Sequence, residues 1–220
     1  MSIKENIKKI KEEIGDNVKL LVVSKTRSLE EMEEAYEIGE RDFAENKVQE
    51  LVYKEENFHK DVNWHLIGKL QTNKVKYIVG KTALIHSLSS VKLLQMIEKK
   101  FGESNEIANV LIQINIGREE SKSGILEEDL EELILEVEKC NFVKVKGIMV
   151  IIPKGDEESN RMYFRKTKEI FDDLKTKKFK NIVMETLSMG MTHDYKIAIE
   201  EGANTIRVGT GIFGERDYSK

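Results

Sequence analysis

The stretch VKLLVVSKTRSLEEMEEAYEIGERDFAE, residues 18–45, contains the pattern that decides the fold. The short apolar and β-branched run at 18–24 predicts a buried strand. Ser28 predicts a helix N-cap, and Glu31 stands three residues later in capping-box spacing. A second short strand is predicted at 41–45. The order strand, helix, strand predicts a right-handed βαβ unit with parallel strands.

The same alternation continues through the rest of the chain. Six more runs of strand character follow, at 62–68, 83–88, 109–115, 143–151, 181–188 and 205–209. The helical patterns lie at 46–56, 71–79, 90–102, 126–140, 157–174 and 192–201, and a last turn of helix follows Gly211. Eight such units favour a single (β/α)8 TIM barrel, with an open doubly wound sheet as the alternative. The phosphate motif of that alternative, G-x-G-x-x-G after the first strand, is absent.

The composition fits one globular domain over residues 1–220, because one hydrophobic core can serve roughly 250 residues. Lys and Arg number 36 and Asp and Glu 40, which gives a net charge of −4. This balance offers no electrostatic footprint for nucleic acid or an anionic membrane. Four histidines without metal-ligand spacing predict no metal site. The single cysteine, Cys140, predicts a buried spectator, with a reactive thiol as the alternative.

The N-terminal segment predicts an extra helix that docks on the barrel. Its apolar residues recur at helical spacing, at Ile3, Ile7, Ile10 and Ile14. The segment is charged and lacks the apolar centre of a signal peptide. No apolar run approaches the roughly 18–20 residues that span a bilayer. We therefore expect a cytoplasmic protein with no membrane partner.

In a barrel of this kind, chemistry lies at the C-terminal ends of the strands. Lys25 directly follows the first strand. A lysine desolvated at the barrel mouth can attack a carbonyl and form a Schiff base. The alternative is a lysine paired with a carboxylate. His65 and His86 lie on the third and fourth strands, where we expect hydrogen-bonded interior histidines rather than catalytic bases.

The last two strands run into small loops that contain glycine. The seventh continues as SMGMT at 188–192, and the eighth as RVGTGIFG at 207–214. Backbone N–H groups at helix N-termini attract phosphate, and these two loops are a frequent phosphate site in (β/α)8 barrels. The alternative is that the glycines only make tight turns. A phosphate cradle beside Lys25 indicates one ligand with an aldehyde and a phosphate, pyridoxal 5′-phosphate (PLP), a form of vitamin B6.

A family resemblance covers nearly the whole chain. The segments that carry it, in order, are VVSKTRS, FAENKVQEL, WHLIGKLQTNK, HSLSS, QINIGREESKSGI, GIMVIIP and LSMGMTHDYKIAIEEGANTIRVGTGIFG. They resemble the pyridoxal-phosphate homeostasis family, which is similar in fold to the N-terminal barrel of bacterial alanine racemase. The resemblance implies a fold-type III PLP protein that holds the cofactor as an internal aldimine and buffers or delivers it, without established turnover.

The resemblance also implies the residues of a cofactor site. The matching positions are Lys25 for the Schiff-base lysine, Asn46 near the ring, Ser188 and Gly190 on one side of the phosphate cup, Gly209 and Thr210 on the other, and Arg207 facing the pyridine nitrogen. An arginine there keeps the ring nitrogen unprotonated, which limits carbanion chemistry. The chain departs from the family pattern at Ala44 and Lys47, where glycine and tyrosine are common.

An amino-acid racemase-like enzyme is the alternative function. Racemisation needs two bases on opposite faces of the substrate. In alanine racemase the second base is a tyrosine from an extra β-domain of the partner subunit. The sequence stops soon after RVGTGIFG, so we expect that C-terminal β-domain to be absent. We therefore expect a monomeric carrier with no catalytic residues, whose partners are PLP and apo PLP-dependent enzymes. A Schiff-base aldolase without cofactor is a third class, which would need neither phosphate cup nor Arg207.

Overall fold

The computed structural model describes residues 2–215. Eight parallel strands close into a barrel in sequence order, β1 to β8. The strands are β1 Lys19–Val23, β2 Asp42–Glu45, β3 Asn63–Leu66, β4 Leu84–Leu88, β5 Ala108–Ile114, β6 Val143–Val150, β7 Ile182–Ser188 and β8 Thr205–Val208. The predicted barrel is confirmed, and the alternative of an open sheet is wrong, because β1 pairs with both β2 and β8.

Helices connect the strands on the outside of the barrel. They are α1 Ile3–Ile14, α2 Leu29–Glu37, α3 Val48–Asn57, α4 Val91–Glu103, α5 Leu130–Val137, α6 Glu157–Thr176, α7 Tyr195–Glu200 and α8 Thr210–Phe213. Short 3₁₀ turns lie at Thr72–Tyr77 and Glu127–Asp129. The predicted capping box of α2 is present, since Ser28 accepts from the Glu31 backbone and Glu31 accepts from the Ser28 backbone.

Two connections differ from the sequence prediction. The helix predicted at 71–79 is a 3₁₀ turn, in which Lys74 N donates to Gln71 O and Ile78 N to Val75 O. The helix predicted at 126–140 begins as the second 3₁₀ turn and is α-helical only over α5. Short connectors commonly take 3₁₀ geometry, because few residues are available to form an α-helical ladder.

Apolar side chains fill the space between the barrel and its helices, and polar side chains occupy part of the barrel interior. Val22, Phe43 and Ile112 are fully buried, as expected for parallel strands covered on both faces. The buried polar side chains of the strands include His65, His86, Ser188 and Arg207. This interior layer lies directly below the functional site.

The N-terminal helix α1 packs on the barrel as predicted. A capping box between Ser2 and Glu5 begins the helix. Its buried residues are Ile7, Ile10 and Ile14. The Asn6 side chain donates to the backbone oxygen of Ile212 at 2.9 Å. This contact joins α1 to α8, the helix that follows the last strand.

Cys140 is buried, as predicted, and burial raises the pKa of its thiol to about 12. The thiol is therefore protonated at neutral pH and a poor nucleophile. Within residues 2–215, no three His, Cys, Asp or Glu side chains are grouped so that they could hold a metal ion. Over the same part of the chain, no helix has both the length and the apolar character that a membrane span requires.

Candidate functional site

A cavity of about 450 Å³ lies at the C-terminal ends of the strands. Its volume is within the range of roughly 300–1,000 Å³ that is usual for small-molecule sites. Five of the predicted site residues line it, namely Lys25, Asn46, Arg207, Gly209 and Thr210. The fold therefore brings together residues that follow or belong to β1, β2 and β8. Ser188 and Gly190, which were also predicted, are not among the lining residues.

The charge of this cavity is one-sided. Four cationic side chains line it, which are Lys25, Lys69, Lys122 and Arg207. No Asp or Glu is found among the described residues that line it. The whole chain carries a net charge of −4, so the cavity has the opposite sign to the protein. A cleft lined by one sign of charge concentrates ligands of the other sign, and this one favours an anion.

Arg207 lies inside the barrel on β8 with 3% of its surface exposed. Its Nη1 donates to Ser188 Oγ at 2.7 Å, and its Nη2 donates to the Val150 carbonyl at 2.8 Å. Burial lowers the pKa of the guanidinium to about 10. Arg207 is still a cation at neutral pH, and two hydrogen bonds hold it in one orientation.

A chain of hydrogen bonds continues from Ser188 through the barrel interior. His86 Nδ1 lies 3.2 Å from Ser188 Oγ. His86 Nε2 lies 3.0 Å from His65 Nδ1, and His65 Nε2 lies 3.0 Å from Asp42 Oδ1. Asp42 begins β2, so the chain ends at the N-terminal mouth of the barrel. There Asp42 and His65 line a second cavity of about 620 Å³.

With both buried histidines neutral, the Asp42 end of this chain determines the direction of its bonds. An ionised carboxylate can only accept, so His65 donates from Nε2 to Asp42 and accepts at Nδ1 from His86 Nε2. His86 then accepts at Nδ1 from the Ser188 hydroxyl, which itself accepts from Arg207. In this assignment both histidines carry their proton on Nε2.

The electrostatic surroundings agree with this assignment. Burial lowers the pKa of His65 and, more strongly, that of His86. Burial opposes ionisation of Asp42, yet its hydrogen bond with His65 and the nearby Lys19 hold its pKa below the ordinary value. The prediction that both histidines are hydrogen-bonded residues of the barrel interior is confirmed.

Hydrogen bonds tie the loop that follows β7 to β8 and to α8. Arg207 N donates to the Gly190 carbonyl at 3.0 Å, and Gly211 N donates to Thr192 Oγ1 at 3.2 Å. Gly190 has a φ of +93°, and a Cβ there would lie 2.7 Å from the Ala198 Cβ. Glycine at this position therefore lets α7 pack against the loop. The predicted contact of Gly190 with a phosphate stays a prediction, as does that of Ser188.

Asn46 is held where the ends of β2 and β3 meet. A Cβ on Gly68 would lie only 2.1 Å from the Asn46 carbonyl oxygen, so the two backbones are in direct contact. Ala44, one departure from the family pattern, is fully buried and packs with the apolar side chains of Leu21 and Val23. Lys47, the other departure, is an exposed N-cap of α3 and does not line the cavity.

Comparisons with known proteins give the family. A family described as alanine racemase, N-terminal domain, matches residues 1–217. The pyridoxal phosphate homeostasis protein of Aquifex aeolicus is 45% identical over 207 residues, which cover 93% of this chain and 90% of that protein. Its counterpart in Helicobacter pylori is 40% identical over 202 residues, 90% of this chain and 88% of that one. The chain belongs to the pyridoxal phosphate homeostasis protein family.

Solved structures give the same family relationship. PipY of Synechococcus elongatus PCC7942, solved without PLP, superposes with a TM-score of 0.91 at 31% identity, covering 97% of this chain and all of PipY. The structure of PipY with PLP bound has a TM-score of 0.89. Alanine racemase of Clostridium difficile 630 has a TM-score of 0.79 at 16% identity, and 57% of its chain is matched. That last likeness shows the shared barrel fold.

Several further cavity residues lie within the segments that carry the family resemblance, and the sequence alone assigns them no role. These residues are Lys69, Gln113, Ser121, Lys122, Ser123, Ile151 and His193. Most of them follow strand ends, so the strand-end rule applied to every strand would have found them. Gln113 shows how one loop is held over the cavity, because its Nε2 donates to the Ser123 carbonyl at 3.2 Å.

Proposed function

We propose that this protein binds PLP covalently through Lys25 and buffers it or delivers it to apo-enzymes. The observation that carries the proposal is the lining of the cavity, in which a lysine at the end of β1 lies with three other cations and no carboxylate among the described residues. The relatives named pyridoxal phosphate homeostasis protein and the PLP-bound structure of PipY support the same ligand.

The residues present match the chemical groups of PLP. When bound, PLP supplies an aldehyde that condenses with a primary amine and releases water. Lys25 would provide that amine, and Arg207 would donate a hydrogen bond to the ring nitrogen. Thr210 and the backbone at Gly209 would donate to the phosphate, whose negative charge suits a cationic cavity. Asn46 would lie beside the ring.

We propose further that the bound cofactor is not used for turnover. Arg207 stays cationic, and a guanidinium opposite the ring nitrogen opposes protonation there. The ring is then a weak acceptor of electrons. A racemase also needs an acid–base group on the face opposite Lys25. Among the described lining residues no tyrosine or carboxylate can serve, and His193 is the imidazole that could.

The cavity is complete within one chain, because residues of this chain alone provide all the groups assigned above. The proposed function therefore needs no second subunit, and a monomer in solution is the expected state. Delivery to apo-enzymes would take place where those enzymes fold, so the proposal includes a cytoplasmic location.

Borohydride reduction tests the covalent link. We expect reduction of the PLP-loaded protein, followed by peptide mapping, to find the pyridoxyl group on the peptide that contains Lys25. Lys69 and Lys122 are internal controls, because both line the same cavity. A label mainly on either of them would contradict the assignment.

A further inference from the structure

A four-residue turn carries Lys25. Ser24 follows β1, Lys25 and Thr26 form the corner, and Arg27 N donates to the Ser24 carbonyl at 2.9 Å. Thr26 has a φ of +64°. A β-branched residue is rarely found in this left-handed region, because its Cβ crowds the following carbonyl. The turn therefore depends on contacts from outside to keep its shape.

Two side chains of α3 hold both peptide groups that flank the Lys25 Cα. On one side, the Ser24 carbonyl accepts a hydrogen bond from Lys54 Nζ at 2.7 Å. On the other side, the Thr26 backbone N–H donates to Glu50 Oε1 at 2.5 Å. The direction of the Cα–Cβ bond follows from the orientation of the two flanking peptide planes. These two contacts thus fix the direction in which the Lys25 side chain leaves the backbone.

Lys54 and Glu50 belong to one largely buried cluster of charged and polar side chains, completed by Glu45 and Ser24. Lys54 is 2% exposed, and its Nζ donates to Glu45 Oε1 and to Glu50 Oε1, each at 2.8 Å. With the Ser24 carbonyl as third acceptor, all three N–H donors are satisfied. Glu45 Oε1 also accepts from Ser24 Oγ at 2.6 Å. The cluster thus binds the turn at three points.

Such a cluster is weak evidence for stability. The cost of removing buried ions from water opposes their mutual attraction. Apolar residues of similar volume in the same positions often give a fold that is equally stable or more stable. Its place in this fold is more informative, because it contacts the turn that follows β1 at Ser24 and Thr26, the two neighbours of Lys25.

We propose that Glu50 and Lys54 are positioning residues that aim Lys25 into the cavity and so set the rate of its reaction with the PLP aldehyde. This proposal rests on the proposed function above. In that reaction the neutral Nζ forms a C=N bond to the aldehyde carbon, and its two protons leave with the carbonyl oxygen as water. The nitrogen must approach that carbon within a narrow range of angles, so a misaimed side chain reacts slowly.

Timed labelling of a Glu50→Ala variant tests the proposal. The substitution removes the acceptor of the Thr26 N–H, and alanine preserves the helix. Borohydride quenching at intervals and peptide mapping then give the rate of label at Lys25. We expect it to fall by about tenfold or more, as small misplacements of reacting groups do. In the PLP-free variant, we expect faster amide hydrogen exchange at Thr26. Glu50→Gln retains an oxygen acceptor and should retain most of the rate.

Two further variants separate positioning from a general loss of structure. Glu56→Ala removes a carboxylate from the same helix, where it pairs with Lys81 at the surface, and should label at the wild-type rate. Thr26→Gly allows a positive φ without steric cost. Introducing Glu50→Ala into that background should therefore slow labelling much less than it does in the wild type.

The outcomes are distinct for the two proposals. Wild-type protein that labels at Lys25, with Glu50→Ala labelling at the same rate, would overturn the positioning role and leave the proposed function intact. An equal slowing by Glu56→Ala would also overturn the positioning role. Wild-type protein without label at Lys25 would overturn the proposed function itself, whatever the variants show.

Discussion

Ser188 is a link between two buried groups. Its hydroxyl accepts from the Arg207 guanidinium and donates to His86, and the residue has no exposed surface. Without this hydroxyl, the buried guanidinium of Arg207 would have one hydrogen-bond acceptor fewer. The immediate role of Ser188 in the PLP-free protein is therefore to hold Arg207 in the orientation that the cavity requires.

Ser188→Ala should therefore destabilise the PLP-free protein. We expect the free energy of unfolding in urea to fall by about 1–3 kcal/mol, since a buried donor on Arg207 loses its acceptor. Cofactor binding should weaken as a consequence of the less ordered arginine. A variant with wild-type stability without PLP but weaker binding of PLP would indicate instead that the hydroxyl contacts the phosphate directly.

The contrast between Lys25 and Ser188 shows what sequence can predict at this scale. Lys25 follows a clear apolar strand, so the strand-end rule places it at the cavity. Ser188 is also at a strand end, yet successive side chains of a strand point to opposite faces. A shift of one residue decides whether a side chain faces the cavity or the interior layer. That register depends on strand pairing across the barrel, which no local pattern encodes.

At the scale of elements, the strands were easier to predict than their connections. Most strands contain a short apolar or β-branched run, and β4 and β7 each differ from their predicted ranges by only one residue at the start. The connection at Thr72–Tyr77 was predicted as an α-helix because periodicity cannot separate an α-helix from a 3₁₀ turn over so few residues. Packing against neighbouring elements makes that choice.

The N-terminal helix α1 offers a test of whether it is an integral part of the barrel domain. Ile7 lies on the buried face of this helix and is fully buried. Ile7→Ala should lower the free energy of unfolding by about 2–5 kcal/mol in a single cooperative transition. Lys8→Ala, on the exposed face of the same helix, is the matched control and should have little effect. A separate early transition in Ile7→Ala would mean that α1 folds independently of the rest.

At the scale of the whole molecule, the distribution of charge is the main feature. An acidic chain places four cations around one cavity, with no carboxylate among the lining residues that the structure describes. Composition alone predicted neither this sign nor its location, because net charge averages over the surface. The cavity thus concentrates positive charge at one place on a chain of net negative charge.

For the molecule as a whole, we expect that the PLP-loaded protein does not catalyse reactions of amino acids. The PLP-loaded protein, incubated in heavy water with a panel of L-amino acids, should exchange deuterium at Cα no faster than free PLP does. Transfer of PLP to an apo-enzyme should be measurable in the same preparation. Exchange at catalytic rates that is lost in Lys25→Ala, and equally in His193→Ala, would show that the protein is an enzyme with His193 as its second acid–base group.

The one-way order of the interior hydrogen bonds has a consequence for how the cavity responds to its surroundings. A proton that arrives on Asp42 cannot hop along the chain, because His65 already carries hydrogen on the facing nitrogen. If every hydrogen bond of this chain were reversed, both histidines would carry their proton on Nδ1. The Ser188 hydroxyl would then accept from both Arg207 and His86, and its own hydrogen would have no acceptor. The chain thus does not carry a proton from Asp42 at the N-terminal mouth to Ser188 beside Arg207. Arg207, whose pKa is about 10, stays cationic on acidification in any case.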